Sequence, residues 1–260
     1  MTVSTAKVLA DLLMRRGKRH DYGAHPSQRA DLHLPSGSGP FEVIVCVHGG
    51  SWTERYGKII MRALAQDLVR RGYAVWNIEY RRVGGDGGWP MTFDDVGAAI
   101  DHLAELGDPR LDLDRVTGLG FSAGGQLALW AVTRPAQRVR FRRVVAQAAP
   151  SRLTEGYADS IDALMGGSPD EVPDRYALGD PVRLLPLGIP ALLVHGPDDT
   201  TVSVEHSRAY ATAARAAGDD IVLVEPESSP HRVHIDPRHP AWQVVVDWLT
   251  QTSGSSTATS

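Results

Sequence analysis

Short runs of β-branched residues alternate along this chain with segments whose apolar residues recur at helical spacing. The runs that predict strands are residues 41–50, 73–80, 115–121, 142–150, 190–196 and 220–226, and those that predict helices are residues 58–72, 91–107, 203–218 and 239–249. Strands separated by helices form a mostly parallel sheet with helices on both faces. The sequence therefore predicts an α/β fold, in which ligands bind at the carboxyl ends of the strands.

The chain of 260 residues is of a size that an α/β fold often fills as one unit, so we expect a single domain over residues 1–250. Residues 151–190 interrupt the alternation with prolines and glycines, and only residues 157–167 have helical character. We expect this segment to be a short cap above the sheet. Residues 251–260 are small and polar, which predicts a disordered tail.

Composition narrows the classes of partner. A net charge of -4 gives no electrostatic basis for binding nucleic acid or anionic lipid, and the single cysteine excludes an internal disulfide.

The apolar patch at residues 8–14 is interrupted by Asp11 and followed by basic residues, which is the wrong order for a secretory signal. We expect a cytoplasmic protein with neither a nucleic-acid nor a membrane partner, and the sequence leaves a homodimer open.

One serine lies at a tight corner between a predicted strand and a predicted helix. Residues 120–124 read Gly-Phe-Ser-Ala-Gly, and a G-x-S-x-G between a strand and a helix is typical of a nucleophile elbow. The glycines allow the chain to reverse closely, so that the hydroxyl of Ser122 is exposed above the sheet. The alternative is an ordinary glycine-rich turn without chemistry.

A serine hydroxyl needs a base and an acid before it can attack a carbonyl carbon. In an α/β-hydrolase these follow in the order Ser, Asp, His. The loop after residues 190–196 carries Asp198 and Asp199, and residues 228–237 carry His231 and His234. Spacing alone leaves one surplus member in each pair.

Two further sets of residues have candidate roles around this serine. The N–H of Ala123 and those of the loop Gly49, Gly50 and Ser51 are candidate donors for an oxyanion hole, a plain strand-ending turn being the alternative. The aromatic residues Trp52 and Trp89 are candidates for a substrate-binding wall, with packing as the alternative.

The histidines near residue 234 could also be metal ligands. Such a site requires an aligning helix that the sequence does not predict, so we expect neither metal nor cofactor.

The helix predicted over residues 91–107 has a candidate capping box at its start. Thr92 and Asp95 stand at the spacing of that motif.

Four motifs occur in order: HGGSW at residues 48–52, GFSAGG at 120–125, HGPDDTTV at 195–202 and HRVHIDP at 231–237. With them the chain resembles the kynurenine formamidase and small carboxylesterase group of α/β-hydrolases over about residues 22–249. Similar proteins have their acid at the fifth position of the third motif and their base five residues before the aspartate of the fourth. The resemblance thus implies Asp199 and His231. Pro230 and Arg232 stand where similar proteins have glycine and phenylalanine.

The resemblance implies an α/β-hydrolase fold and a metal-free serine hydrolase. We expect it to cleave small carboxylic esters or unhindered amides, in the manner of an esterase or an arylformamidase, through an acyl-enzyme. Two alternatives stay open: acyl transfer or lyase-type chemistry on the same residues, and a binding protein of the same fold without catalysis. A cap of this size cannot build a deep tunnel, so we expect small acyl groups.

Overall fold

The structure, a computed structural model, describes residues 17–156 and 158–253. Eight strands form one sheet in the order β1-β2-β4-β3-β5-β6-β7-β8. Strands β1 and β2 are antiparallel to their neighbours, and the other six strands run parallel. The strands are β1 (Lys18–Asp21), β2 (Arg29–His33), β3 (Phe41–Val47), β4 (Ala74–Ile78), β5 (Leu111–Phe121), β6 (Arg143–Gln147), β7 (Ala191–Val194) and β8 (Ile221–Val224).

The helices within the described residues connect these strands. They are α1 (Arg62–Arg70), α2 (Met91–Asp101), α3 (Ala123–Thr133), α4 (Ala158–Met165), α5 (Pro173–Gly179), α6 (Glu205–Ala216) and α7 (Pro240–Ser253). Short 3-10 helices span Lys58–Met61, His102–Glu105, Pro181–Leu184 and His231–Ile235.

Alternate residues of each central strand enter two separate cores. In β3, Val43, Val45 and Val47 pack with α2, α3 and α6 on one face of the sheet. Ile44 and Cys46 point the other way, into a core formed with α1 and α7. Because side chains alternate along a strand, a continuous apolar run such as β3 can be buried on both faces. This confirms the predicted mostly parallel sheet with helices on both faces.

Strands β1 and β2 were not predicted. The four residues of β1 are polar or charged and mostly exposed, so no apolar pattern marks them. In β2, Ala30 and Leu32 are buried at alternate positions, a pattern too short to identify alone. Pairing of β2 with β4 orders this edge.

The predicted capping box is wrong. Helix α2 begins at Met91, so Thr92 lies inside its first turn. The Thr92 hydroxyl donates to the carbonyl of Arg81 at 2.6 Å and accepts from the N–H of Gly88 at 2.9 Å. Asp95 instead accepts from the Arg81 guanidinium at 2.7 Å. Both side chains therefore anchor the preceding loop, a contact that only tertiary packing creates.

The segment 151–190 contains the predicted helix as α4, together with α5 and the turn Pro181–Leu184, which were not predicted. Helix α7 extends through Ser253, three residues into the tail that was predicted to be disordered. The rest of that tail, residues 254–260, and the apolar patch at residues 8–14 lie outside the described residues. Within the described ranges, no helix combines the length and apolarity that crossing a bilayer requires.

Two glycines let β5 reverse into α3. A Cβ on Gly120 would lie 2.1 Å from the carbonyl oxygen of Gly124, and a Cβ on Gly124 would lie 2.1 Å from that of Val47. Both neighbours are backbone atoms, which cannot swing aside as a side chain can. The first turn of α3 therefore packs directly on the ends of β3 and β5, with Ser122 between them.

We expect Gly124→Ala to lower the free energy of unfolding by about 2 kcal/mol or more, because the added methyl overpacks against the backbone of β3. Gly97→Ala is the matched control, since a Cβ there would lie 3.6 Å from the nearest atom, in the side chain of Arg134. As a helix-interior glycine, Gly97 should give a change between zero and about 1 kcal/mol of stabilisation. Urea unfolding of both variants measures this, and equal effects would contradict it.

Candidate active site

The carboxyl ends of four parallel strands bring the candidate residues to one edge of the sheet. Residues 48–52 follow β3, Ser122 follows β5, Asp199 lies in the loop after β7, and His231 lies beyond β8. Parallel strands place all these loops on the same side. Ser122 and His231 are 109 residues apart along the chain, and His231 and Asp199 are 32 apart, yet each pair is in contact.

Ser122, His231 and Asp199 form a continuous chain of hydrogen bonds. The Ser122 Oγ lies 3.0 Å from His231 Nε2, and His231 Nδ1 lies 2.7 Å from Asp199 Oδ2. A carboxylate only accepts hydrogen bonds, so Nδ1 carries the ring proton and Nε2 is free to accept from the serine hydroxyl. This is the tautomer in which an imidazole can take a proton from Ser122.

The backbone of Ser122 is strained. Its φ of 52° and ψ of -125° lie outside the regions that most residues adopt. The Ser122 N–H donates to the carbonyl of Gln147 at 2.8 Å, and the Ser122 carbonyl accepts from the N–H of Gly125 at 2.8 Å. These bonds fix the corner and direct the hydroxyl away from the sheet toward His231.

Asp199 is held from both ends. Its Oδ1 accepts from the N–H groups of Thr201 and Val202 at 2.8 and 2.9 Å, and its Oδ2 faces His231 and, at 3.4 Å, His195 Nε2. Burial alone raises the pKa of a carboxyl, but the hydrogen bonds from His195, His231 and Val202 outweigh it and hold the pKa of Asp199 below its usual range. The carboxylate is therefore charged and fixed beside the imidazole.

Asp198 and His234, the other candidates for the acid and the base, do not join this chain of hydrogen bonds. Asp198 is exposed, and its Oδ1 accepts from the N–H of Ser229 at 2.9 Å, which ties the loop after β7 to the loop after β8. His234 is fully buried, and its carbonyl accepts from Gln147 Nε2 at 3.1 Å. Burial lowers the pKa of the His234 imidazole to about 3.

The candidate oxyanion loop, residues 49–51, packs closely on the backbone beside Ser122. A Cβ on Gly49 would lie 2.6 Å from the carbonyl oxygen of Phe121, and Gly50 has a φ of 123° that side chains rarely allow. Ser51 and Trp52 also have positive φ values, of 51° and 56°. The close approach brings Ser51 to the same cavity as Ala123, whose N–H, at the start of α3, has no partner within the helix.

A buried network of hydrogen bonds, with one ion pair, packs against this loop. His48 Nδ1 lies 2.8 Å from the carbonyl oxygen of Gly49, and His48 Nε2 lies 2.7 Å from Glu79 Oε1. Glu79 also accepts from the N–H of Lys58 at 3.0 Å and contacts Arg82. Sequence analysis did not find this role of Glu79, and the polar residues that directly follow the buried strand β4 were the available signal.

A small cavity of about 30 Å³ opens beside Ser122. Residues from five parts of the chain line it: Ser51, Trp52, Ser122, Ala123, Pro150, Ser160, Thr201 and Val202. Trp52 is only 2% exposed, and its indole N–H donates to Gln126 Oε1 at 3.1 Å. Trp52 thus lines the cavity while its polar atom is engaged in the core. Ser160 brings α4, from the segment 151–190, to the cavity.

Trp89 occupies a packing position. Its ring lies edge-on to Phe93 at a centroid distance of 4.8 Å, and its backbone N–H donates to the carbonyl of Leu164 at 2.6 Å. Trp89 is not among the described residues that line the cavity. The expectation that Trp89 forms a substrate wall therefore finds no support in its contacts, which hold the segment 151–190 against α2.

The histidines near residue 234 do not come together. His231 points toward Asp199, His234 is buried, and Asp236 is paired with Arg238 at 2.8 Å. Over the ranges that the structure describes, no group of three or more histidine, cysteine, aspartate or glutamate side chains is placed to hold a metal ion.

A protein-family model described as BD-FAE matches residues 30–213, most of the chain. The chain belongs to the BD-FAE family. The match includes the residues 48–52 loop, Ser122 and Asp199, and ends before His231.

Three curated relatives have low sequence identity to this chain. A probable isoprenylcysteine alpha-carbonyl methylesterase of Arabidopsis thaliana is 26% identical over an alignment of 242 residues that covers 81% of this chain and 49% of that protein. An uncharacterized peptidase of Bacillus subtilis is 28% identical over 68% of this chain and 70% of its own length. An esterase of Mycobacterium tuberculosis is 26% identical over 75% and 54%. The chain thus spans about half the length of two of these curated relatives.

Solved structures establish the fold. A truncated carbohydrate esterase from gut microbiota matches with a TM-score of 0.82 at 20% identity, over 92% of this chain and 97% of that one. A thermophilic esterase from Thermogutta terrifontis matches with a TM-score of 0.76 at 19% identity, over 92% of each chain. The family member therefore has the predicted α/β-hydrolase fold.

Sequence analysis also missed His195 as a neighbour of Asp199. His195 Nδ1 lies 2.8 Å from Ser207 Oγ, and Nε2 lies 2.9 Å from the carbonyl oxygen of Val202, so Nε2 carries the proton and its N–H also faces Asp199. The signal that could have indicated this contact is the position of His195, four residues before Asp199. Pro150, Ser160, Thr201 and Val202 had no sequence signal, because each reaches the cavity only through folding.

The buried His234 predicts a pH dependence of stability. In the unfolded chain a histidine binds a proton below about pH 6.5, whereas the folded protein keeps His234 neutral down to about pH 3. The folded state therefore binds fewer protons in this interval, and the free energy of unfolding falls as the pH is lowered through it, by up to about 1.4 kcal/mol per unit from this group. Urea unfolding between pH 7 and 4 should show a shallower fall for His234→Leu. Equal slopes would contradict this.

Proposed function

We propose that this BD-FAE family member is a serine esterase that hydrolyses small carboxylic esters through an acyl-enzyme on Ser122. The observation that carries the proposal is the alignment of Ser122 Oγ, His231 and Asp199 at 3.0 and 2.7 Å, with Ser122 on the wall of a cavity. A serine, a neutral imidazole and a buried carboxylate in this order constitute the machinery of acyl transfer.

In the first half of the proposed reaction, Ser122 Oγ attacks the carbonyl carbon of the ester while its proton passes to His231 Nε2. The carbonyl electron pair moves to the oxygen, where the N–H groups of Ala123 and of the loop through Ser51 stabilise the charge. When this tetrahedral intermediate collapses, the carbonyl re-forms and the alkoxide leaves with the proton from His231. The products are the alcohol and an ester on Ser122.

In the second half, water replaces the alcohol. The water gives a proton to His231 Nε2 as its oxygen attacks the acyl carbon, and collapse returns that proton to Ser122 Oγ. The acid is released and the enzyme is regenerated. Asp199 stays ionised throughout, and its charge stabilises the imidazolium that forms in each half.

The relatives support ester chemistry, since two of them carry the names methylesterase and esterase. Those proteins are about twice as long as the matched region, so the substrate of neither is transferred to this chain. Ester cleavage is the shared chemistry, and formamide cleavage requires the same attack on an equally small acyl group. We therefore include unhindered formamides, the arylformamidase-like activity, within the proposal.

The cavity limits the acyl group. A single water molecule needs about 10 to 15 Å³ of cavity volume, so a cavity of about 30 Å³ accepts a few non-hydrogen atoms. Trp52, Pro150 and Ser160 on α4 are among the residues that line it. Formyl and acetyl groups fit this space, whereas a longer chain would have to displace the segment 151–190.

Removal of the nucleophile tests the proposed function. Ser122→Ala should abolish labelling by a fluorophosphonate probe and lower kcat on p-nitrophenyl acetate by about 10^4-fold or more. Asp199→Asn should also lower kcat strongly, whereas its exposed neighbour Asp198→Asn, whose remaining Oδ1 still accepts from Ser229, should keep most of the activity. Turnover by Ser122→Ala above a tenth of wild type, or a reversed ranking of the two aspartates, would overturn the assignment. An unlabelled, inactive wild type would favour a binding protein.

A series of p-nitrophenyl esters tests the acyl cavity. We expect kcat/KM to be highest for formyl and acetyl esters and to fall by about tenfold or more by the octanoyl ester, because a cavity of about 30 Å³ has no room for further methylene groups. Ser160→Gly removes one side chain that lines the cavity, so it should shift the preferred ester toward longer acyl chains. Ser168→Gly, in the same segment but not in the cavity lining, is the control. An optimum at twelve or more carbons in wild type would contradict a small acyl cavity.

A further inference from the structure

Two arginines contact the same tyrosine near the candidate site. The guanidinium carbon of Arg55 lies 5.6 Å from the ring centroid of Tyr56, and that of Arg232 lies 5.8 Å from it. Both arginines are exposed. The residues come from loops 177 positions apart in the chain, so folding alone brings these two cations together around one ring.

This group adjoins the site on the side of the base. Arg232 directly follows His231, and the Tyr56 side chain packs on the oxyanion loop, where its Cβ would lie 2.6 Å from a Cβ on Gly50. The acyl cavity is lined instead by Trp52, Pro150 and Ser160. Because His231 must deliver a proton to the departing alcohol, residues beside it flank the alcohol part of an ester rather than its acyl part.

Nearby carboxylates do not neutralise the two arginines. Glu54, next to Arg55, lies against Gly85, where an added Cβ would meet its Oε1 at 1.8 Å. Asp236, in the same stretch as Arg232, is bound by Arg238 at 2.8 Å. Neither Arg55 nor Arg232 has an ion pair with a carboxylate among residues 17–156 and 158–253. A pair of positive charges at the site is notable in a chain whose net charge is -4.

We propose that Arg55 and Arg232 bind an anionic group on the alcohol part of the substrate, which makes short-chain esters of anionic alcohols the preferred substrate class. This inference rests on the proposed esterase function. A guanidinium donates paired hydrogen bonds that match the geometry of a carboxylate or a phosphate. Both guanidinium groups lie near the ring of Tyr56, and Arg232 directly follows His231, so we expect the anion to be bound while the ester carbonyl lies at Ser122.

The test compares two acetyl esters that differ in one charge. The probes are para-acetoxybenzoate, whose alcohol part carries a carboxylate, and its neutral methyl ester. The quantity measured is the ratio of kcat/KM for the anionic ester to kcat/KM for the neutral one. Because each variant is compared through this ratio, differences in intrinsic ester reactivity and in general activity cancel. A third arm with an acetyl ester of a phosphorylated phenol distinguishes phosphate from carboxylate.

We expect Arg232→Gln and Arg55→Gln each to lower the ratio by about threefold to fivefold, and the double variant by about tenfold, since each removes one charge from the anion. The control is Arg238→Gln, an exposed arginine six residues from Arg232 that is already paired with Asp236, and its ratio should equal that of wild type. Raising the salt concentration should lower the wild-type ratio and leave that of the double variant nearly constant.

Failure of this inference is distinguishable from failure of the proposed function. If wild type hydrolyses the neutral ester through Ser122 but the ratio is the same in the double variant, the arginines do not bind the substrate. If Arg238→Gln lowers the ratio as much as Arg232→Gln, only the general surface charge matters, and the inference is overturned. If neither ester is hydrolysed and Ser122 is not labelled, the proposed function itself is wrong.

Discussion

The direct contact of α3 with the ends of two strands is the constraint on which the candidate site depends. Gly124 touches the backbone of β3 at Val47, and Gly120 touches the first turn of α3, so no side chain separates helix from sheet. At that distance the connecting residue has to adopt a backbone conformation that is otherwise unfavourable. Ser122 occupies this position, and the strain is held in place by two well-packed cores on either side of the sheet.

Asp199 joins the loops that follow β7 and β8. Two backbone N–H groups hold one carboxylate oxygen, and His231 and His195 share the other. A buried carboxylate with four donors is ionised in spite of its burial, because the lost hydration is replaced by fixed hydrogen bonds. The orientation of His231 thus depends on a carboxylate that cannot rotate, and this keeps Nε2 directed at Ser122.

The segment 151–190 is linked to the candidate oxyanion loop through hydrogen bonds in the core. The indole of Trp52 donates to Gln126 on α3, and Gln126 in turn donates to the carbonyl of Gly179 at the end of α5 at 3.1 Å. Trp52, which lines the cavity, is therefore linked to the segment 151–190 by two hydrogen bonds that are shielded from water. The side of the site next to Trp52 and Pro150 is a small cavity, whereas the side next to His231 carries the exposed Arg232, which shares the ring of Tyr56 with Arg55. In the proposed function, this contrast separates the selection of the acyl group from that of the alcohol.

The sequence by itself determined the α/β fold, because strand and helix patterns depend on local spacing of apolar residues. It also indicated the serine corner, since G-x-S-x-G between a strand and a helix is a local signal. Neither Asp199 nor His231 could be chosen over its neighbour by spacing, and only a resemblance separated them before the tertiary structure brought His231 to Ser122 and Asp199 to His231. The edge strands, the packing of Trp89, the contacts of His195 and the pairing of Arg55 with Arg232 around Tyr56 were decided by tertiary structure alone. Each of these depends on residues distant in the chain, whose proximity arises only when the sheet has formed.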